Sequence, residues 1–130
     1  MAALSDHAEA LLLDWLMTTG TATRPTAWYV GLFTAAPSDS GGGTEVSGSG
    51  YSRQAATFAA ASSPGGTTSN TGDIAFTASG GNWGTITHIG IFDASTLGNL
   101  LWHGSMTASK VVNDGDTLQF STGNIDLTIA

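Results

Sequence analysis

The segment that most restricts the fold is a pair of predicted β-strands, 85–93 and 99–104, joined by a short polar loop. In the first strand, Ile89 and Ile91 share one face, and the other face carries Ile86, His88, Gly90 and Phe92. In the second, Leu100, Trp102 and Gly104 alternate with Leu101 and His103. Apolar residues on both faces are typical of strands in the middle of a sandwich or at a subunit interface. The turn-rich residues 93–98 suit a hairpin loop.

Other segments have the composition or alternation of strands, namely 27–34, 51–60, 73–77, 110–112, 117–120 and 124–129. In 73–77, alternation places Ile74 and Phe76 on one face, and in 124–129 it does the same for Ile125, Leu127 and Ile129. The pair Asp114-Gly115 predicts a tight turn. The fold is therefore predicted to be mainly β. We expect a single domain over 1–130, with an antiparallel, jelly-roll-like β-sandwich of about seven or eight strands over 27–130.

A helix is predicted over residues 5–18, before the sandwich. Ser5 is a suitable N-cap, and Asp6 and Glu9 lie in the first turn, where the helix dipole favours anions. An apolar stripe at helical spacing comprises Ala8, Leu11, Leu12, Trp15 and Leu16. Gly20 lies where a left-handed cap is expected. Leu13 and Met17 widen the apolar surface, so the helix either covers one end of the core or also docks on a neighbouring subunit.

Residues 37–50 contain five glycines and little that is suited to a core. This segment predicts a long exposed loop, or an arm that becomes ordered on a partner. A phosphate-binding loop is disfavoured, because no Gly-Lys-Ser/Thr sequence follows the glycines.

Charge excludes two classes of partner. Only 10% of residues are charged, and the net charge is −7, with Arg24, Arg53 and Lys110 as the cations. Three scattered cations cannot supply the clustered contacts that nucleic acids require, and an anionic membrane is disfavoured for the same reason. No apolar run reaches the roughly 20 residues needed to span a bilayer. We also expect no signal peptide, and the absence of cysteine rules out disulfides.

Catalytic patterns are weak. No Gly-x-Ser-x-Gly sequence occurs. His88 and His103 could be cross-strand neighbours that bind a metal with a carboxylate, but hydrogen bonding at the sheet edge is favoured because no third ligand is identifiable. Residues 113–116 carry oxygen ligands suited to calcium, but a turn without metal is favoured. Asp114 and Asp116 lie in an open turn, where little would raise the pKa of one of them, so a catalytic carboxylate pair is disfavoured. We predict no enzymatic activity, no catalytic residues, no cofactor and no metal.

Several blocks together carry a family resemblance. They are residues 4–14, 30–37, 41–48, 50–54, 83–93, 98–102 and 113–116, for example Trp83-Gly-Thr-Ile-Thr-His-Ile-Gly-Ile-Phe-Asp93. The chain resembles a family of small tailed-bacteriophage virion proteins, often labelled phage tail fibre protein. It is also similar to trimeric β-sandwich proteins that decorate phage capsids. The resemblance implies a virion structural protein and brings no catalytic residues.

On this basis we expect a capsid decoration (cement) protein that forms a homo-oligomer, namely a trimer, on the outer surface of the capsid, with the major capsid protein as its partner. The alternative is a tail-fibre or tailspike-like module that binds host surface glycans, with Tyr51, Trp83 or Trp102 stacking on sugar rings. The candidate partner-binding residues are Leu4, Leu11, Trp15, Glu45, Val46, Tyr51 and Trp83. Nucleic acid and membrane are not expected as partners.

Overall fold

The computed structural model describes residues 2–129. Its helix is α1 (Asp6–Met17), and its strands are β1 (Ala2–Leu4), β2 (Trp28–Ala35), β3 (Thr44–Glu45), β4 (Gln54–Ala56), β5 (Thr67–Ser69), β6 (Ile74–Thr77), β7 (Gly84–Phe92), β8 (Leu100–Val112), β9 (Thr117–Phe120) and β10 (Asp126–Thr128). With 43% strand and 9% helix, the predicted mainly β fold with a short N-terminal helix is confirmed. Met1 and Ala130, the ends of the predicted 1–130 domain, lie outside the described residues.

The predicted hairpin lies in the middle of the largest sheet. Among residues 2–129, this sheet has six strands in the order β1-β8-β7-β2, and β3 and β4 both pair with the far edge of β2. All of these pairings are antiparallel. Residues 110–112, predicted as a separate strand, are instead the end of β8, because they pair with Gly84–Ile86 of β7. No turn sequence separates them from residue 104, so the strand continues.

The β7–β8 pairing has an irregularity that strict alternation does not anticipate. The register shifts between Ile86 and His88, and again between Ile91 and Phe92. Ile86 therefore lies in the same buried cluster as Ile91, with 0% of it exposed. The prediction that Ile86 faces away from Ile91 is wrong, because an irregularity inserted into a strand reverses the side on which the following residues lie.

Two small antiparallel sheets, β6–β9 and β5–β10, form the second layer. The core lies between the layers and includes Val30, Leu32 and Ile91 from the large sheet, and Ile74, Phe76, Leu118, Phe120, Ile125 and Leu127 from the second layer. Ile74 and Phe76 share the inner face as predicted, whereas Ile129 is 48% exposed and departs from the face of Ile125 and Leu127. The strand predicted over 51–60 is confined to β4, and beyond it Phe58 makes only an isolated bridge to Asn70.

The outer face of the large sheet carries a separate apolar cluster of Phe33, Phe92 and Leu100. The Phe33 and Phe92 rings are stacked, with centroids 6.1 Å apart. Gly90 lies beneath them, and a Cβ at this position would be 2.9 Å from both the Leu100 and Phe33 side chains. Glycine is therefore required for the rings to approach the strand. The hairpin has apolar residues packed on both faces, as the sequence indicates.

The connections explain how the layers are joined. Asp93 accepts hydrogen bonds from the backbone and side-chain amides of Asn99 at 2.7 and 3.0 Å, which closes the β7–β8 loop. The predicted turn at 113–116 is confirmed, with Gly115 at a φ of 87° and the Asn113 amide donating to the Asp116 carboxylate. This turn carries the chain from β8 in the large sheet to β9 in the second layer.

Candidate interaction surface

The start of helix α1 is firmly attached to the sheet. β1 pairs with β8, with Leu4 opposite Trp102. Ser5 is the N-cap as predicted: its hydroxyl accepts from the Ala8 amide at 3.2 Å and donates to the Leu100 carbonyl. The Ser5 amide donates to the Leu101 carbonyl at 2.9 Å. These bonds hold the first turn of the helix against the edge of the large sheet.

The end of α1 has few such contacts. The predicted left-handed cap at Gly20 is wrong: the helix ends at Thr18 in an extended conformation, and the Thr18 hydroxyl donates to the Asp14 carbonyl at 2.8 Å. Within α1, only Ala8 is buried. Four large apolar side chains are exposed, namely Leu13 (60%), Trp15 (64%), Leu16 (59%) and Met17 (76%). The helix thus presents an unusual amount of apolar surface to solvent.

A groove of about 240 Å³ lies between α1 and the sheet, and we call it the α1 groove. It is lined by Leu4 of β1, by Ala8, Leu11, Leu12 and Trp15 of α1, and by Ala22, Arg24, Pro25, Trp28, Leu101, Trp102 and Ile129. Three of the four tryptophans of the chain line it. Its chemistry is apolar and aromatic, with the exposed Arg24 as the charged group. Such a surface suits an apolar side chain or helix face that carries an acidic group.

The structure brings together three of the residues predicted to bind a partner. Leu4, Leu11 and Trp15 all line the α1 groove. The sequence did not predict Arg24 or Trp28 as partner-binding residues. Arg24 lies in the connection between α1 and β2, and Trp28 is the first residue of β2. They reach the groove through the packing of the sheet, so the sequence holds no local signal for them beyond the presence of a tryptophan at a strand end.

Glu45, Tyr51 and Arg53 form a second constellation, the Glu45–Tyr51–Arg53 cluster. Arg53 binds both carboxylate oxygens of Glu45, with Nε and Nη2 each at 2.8 Å. Tyr51 donates its hydroxyl to Glu45 at 2.6 Å and accepts the Leu32 amide at 3.0 Å. The Leu32 amide lies on the edge of β2 between the stretches paired with β4 and β3, so the Tyr51 hydroxyl fills this gap in the ladder.

Arg53 also holds the β7–β8 loop. Its Nη1 donates to the carbonyls of Ala94 and Leu97 at 2.9 and 2.8 Å, and its guanidinium lies 3.4 Å from the centre of the Phe92 ring. The side chain is only 9% exposed. Bidentate and cation–π contacts of this kind suit a planar guanidinium. The cluster therefore joins β3, β4 and the β7–β8 loop on the outer face of the sheet.

The cluster changes the acidity of two of its members. Burial raises the pKa of Glu45, but the hydrogen bonds from Arg53 and Tyr51 and the positive charge of Arg53 outweigh it, so the pKa is lowered. Burial and the hydrogen bond to the Glu45 carboxylate raise the pKa of Tyr51. At neutral pH, the cluster therefore holds Glu45 as a carboxylate and Tyr51 as a neutral phenol, and the hydrogen bonds from Tyr51 and Arg53 stabilise the carboxylate.

The segment 37–50 is mostly exposed, as predicted for a loop, but contacts within the chain, and not with a partner, order it. It contains β3, and Val46 is 7% exposed and belongs to the main core. Trp83 is also 7% exposed; its ring meets that of Tyr51 edge-on at 5.4 Å, and its indole N–H donates to the Ser49 carbonyl at 3.0 Å. Glu45, Val46, Tyr51 and Trp83 are thus engaged within the chain. Trp83 is placed as a cover over the core, and neither it nor Tyr51 presents an open ring face.

The histidines do not form a shared site. His88 lies opposite Ser105, and His103 lies opposite Gly90, so the two are not directly paired across the strands. His103 is within 2.7 Å of Asp39, and His88 is within 2.8 Å of the Thr87 hydroxyl. Within residues 2–129, no group of three or more His, Asp or Glu side chains is arranged to hold a metal ion. Both histidines make hydrogen bonds, but the prediction that they do so at the sheet edge is wrong, because β7 and β8 are paired on both sides at these positions.

A family comparison identifies the kind of protein. A family model described as "Podophage GP4 fiber I protein gp80" matches residues 3–128. The chain belongs to this family. The match confirms the resemblance to small virion proteins of tailed bacteriophages, and it makes the chain a fibre-type structural protein of the phage virion. A comparison with curated proteins found no match.

The family match also relates the surfaces above to a virion. It spans α1, the Glu45–Tyr51–Arg53 cluster and both sheet layers. No helix in the described part of the chain has the length and apolar character needed to cross a membrane.

Proposed function

We propose that this chain is a non-enzymatic structural subunit of a fibre on the virion surface. The observation that carries this proposal is the family match over residues 3–128. In this role the chain acts through the shape and polarity of its surfaces. The exposed apolar face of α1 is consistent with such a role, since apolar patches of this size on a small protein commonly mark contact surfaces.

The arrangement of polar groups supports a structural role over a catalytic one. The most buried ionic group, Arg53, is occupied by Glu45, two backbone carbonyls and the Phe92 ring. His103 is paired with Asp39. Among the hydrogen bonds of residues 2–129, no serine hydroxyl bonds to either side chain, so this pair does not form a nucleophile–base arrangement. These contacts occupy hydrogen-bond donors and acceptors that a catalytic site would leave available for substrate.

Capsid decoration is the second candidate, with the major capsid protein as partner. The observation that favours it is shape: residues 2–129 form a two-layered β-sandwich without an elongated shaft. A module of this kind can lie across the junctions of capsid subunits and add interface area there. In this candidate, as in the fibre, the chain is an oligomer, and a trimer is the form we propose.

The host-glycan hypothesis loses two of its three ring candidates, because Trp83 is buried in the core and the partly buried Tyr51 packs against it, with its ring stacked on Phe76. Trp102 is partly buried and lines the α1 groove together with Trp15 and Trp28. Glycan binding stays a prediction that depends on this groove.

Immunogold labelling of intact virions with an antibody against this chain, observed by negative-stain electron microscopy, tests the proposal. A fibre subunit places gold on projections from the particle, whereas a decoration protein places gold evenly over the head. Particles that carry a deletion of the gene serve as the control for specific labelling. Both candidates would be contradicted if gold labelled disrupted virions but not intact ones.

A deletion of residues 40–49 is not a clean test of partner binding. It removes Val46 from the core and Glu45 from Arg53, so it would destabilise the chain itself. Substitutions of exposed residues on α1 distinguish a loss of partner binding from a loss of folding more clearly.

A further inference from the structure

We infer that helix α1 is the contact between copies of this chain, with the last two turns of one copy's helix seated against the α1 groove of another. This inference rests on the proposed structural role and specifies the surface through which the subunits assemble. It assigns a partner, a second copy of the same chain, to a face that is apolar, exposed and adjacent to an apolar groove.

The exposed area is sufficient for a specific contact. Leu13, Leu16 and Met17 share one side of the last two turns and each expose on the order of 100 Å², which gives on the order of 300 Å² per copy. A standard interface takes about 800 Å² from each partner. The helix face therefore supplies more than a third of one side, and the groove, to which Trp15 belongs, can supply much of the rest. Aromatic and methionine side chains are the types enriched in such interfaces.

Charge favours a second copy as the occupant. Asp14 is the only charged residue in the last two turns of α1, and it lies one turn before Met17, on the same side of the helix. Arg24 is the cation of the groove and one of only three Lys or Arg residues in the chain. One copy thus offers an apolar face with a carboxylate, and the other offers an apolar groove with a guanidinium. Because the net charge is −7, this pairing also offsets part of the repulsion between copies.

The geometry of the contact is compatible with closed symmetry. Each copy contributes its helix face to one neighbour and its groove to the other, so three copies can close a ring, in agreement with the proposed trimer. The short length of α1 adds a reason for assembly, since an isolated helix of 12 residues is marginal in water and is stabilised when its apolar face is covered.

Sedimentation velocity over a dilution series provides the first test. We expect wild type to sediment as an oligomer that dissociates on dilution, and Leu16→Glu to sediment as a monomer over the same range. Leu97→Glu is the matched control, because Leu97 is 86% exposed in the β7–β8 loop and does not line the α1 groove, and it should behave as wild type. Leu16 is 59% exposed, so the substitution should leave the melting temperature of the monomer unchanged.

A charge exchange identifies the partner as a second copy. We expect Asp14→Arg and Arg24→Asp each to weaken association by about tenfold or more. The double variant should recover most of this loss, because every contact in a symmetric oligomer then has the reversed pair. A foreign partner would not give this recovery.

The outcomes are distinct from those of virion labelling. An oligomeric wild type that is unaffected by Leu16→Glu would assemble through another surface, and this would overturn the inference while leaving the proposed function intact. A wild type that is monomeric at every concentration, yet still labels virions, would overturn both the inference and the proposed trimer and would leave only the virion location intact. Weakening by both single charge variants without recovery in the double variant would overturn the assignment of a second copy.

Discussion

Arg53 shows how much of this structure depends on single side chains. Four of its five N–H donors are used, two on the Glu45 carboxylate and two on the carbonyls of the β7–β8 loop. The Phe92 ring covers its face. A lysine at this position would keep the charge but lose the bidentate geometry, so the charge alone cannot account for the cluster. Gly31 makes room for it, because a Cβ there would lie 2.8 Å from the Glu45 carboxylate.

The lowered pKa of Glu45 predicts a pH dependence of stability. A carboxylate whose pKa is lower in the folded state contributes stability above its unfolded pKa, and this contribution is lost as the pH falls through the folded value. We expect Glu45→Gln to lower the free energy of unfolding by about 2 kcal/mol near neutral pH. This difference from wild type should shrink below the ordinary glutamate value of 4.5. Urea denaturation of both proteins at a series of pH values, from 7 to below 4.5, measures this difference.

Tyr51→Phe provides the complementary control. The pKa of Tyr51 is raised, so, as far as its own ionisation is concerned, its contribution is fully present below the ordinary tyrosine value of 10.0 and is lost only at higher pH. The difference between wild type and Tyr51→Phe should therefore be constant from neutral to mildly alkaline pH, and it should shrink at acid pH because Tyr51 donates to the Glu45 carboxylate, which becomes protonated there. A Glu45→Gln difference that stays constant as the pH falls below 4.5 would contradict the role assigned to the Glu45 carboxylate.

Helix α1 is an element held at one end. Its first turn is fixed by β1 and by the two hydrogen bonds of the Ser5 hydroxyl, while its last two turns are largely exposed. This asymmetry explains why a helix with so much exposed apolar surface has a defined orientation. The N-cap acts both as a helix start signal and as a tertiary contact.

Ser5→Ala should destabilise the chain by about 1–2 kcal/mol, because it removes the cap and leaves the buried Leu100 carbonyl without its side-chain donor. Chemical denaturation followed by far-UV circular dichroism measures the loss. Ser105→Ala is the matched control, since Ser105 is exposed on β8, and its effect should stay within about 0.5 kcal/mol. Equal effects of the two substitutions would show that the Ser5 hydroxyl has no special role.

The two sheet layers of the molecule share one core. Phe76 of the second layer is 1% exposed, packs edge-on against Phe120 and is stacked with Tyr51. Tyr51 in turn is bonded to the edge of β2. Because the layers meet through these side chains, neither is expected to remain folded without the other.

Phe76→Ala should lower the free energy of unfolding by about 3–5 kcal/mol, through lost burial and a cavity at the centre of the core. Tryptophan fluorescence and circular dichroism should report one coincident transition for wild type and for the variant, as expected for a single domain of this size. Leu97→Ala is the exposed control and should change the stability by no more than about 0.5 kcal/mol. Two separate transitions would contradict the prediction of a single domain.

Local patterns were sufficient to predict much of the fold. The alternation of Ile74 and Phe76, the apolar hairpin strands, the Ser5 cap and the Asp114-Gly115 turn all depend on neighbours a few residues away, and the structure confirms each of them. The grouping of Leu4, Leu11 and Trp15 also followed from helical spacing and from proximity along the chain. Short-range geometry constrains such features whatever the rest of the chain does.

Long-range contacts determined the remainder. Glu45 meets Arg53 and Tyr51 only because β3 and β4 share one edge of β2, and Val46 enters the core because of that same pairing. Ile86 faces the core because a register shift reverses the alternation of β7, and Arg24 and Trp28 reach the α1 groove from segments distant from the helix. Composition predicted that 37–50 is a long exposed loop or an arm ordered on a partner, whereas residues far along the same chain order it. Amino-acid order specifies the strands, helix and turns, whereas burial and pairing across the sheet decide which surfaces stay open for assembly.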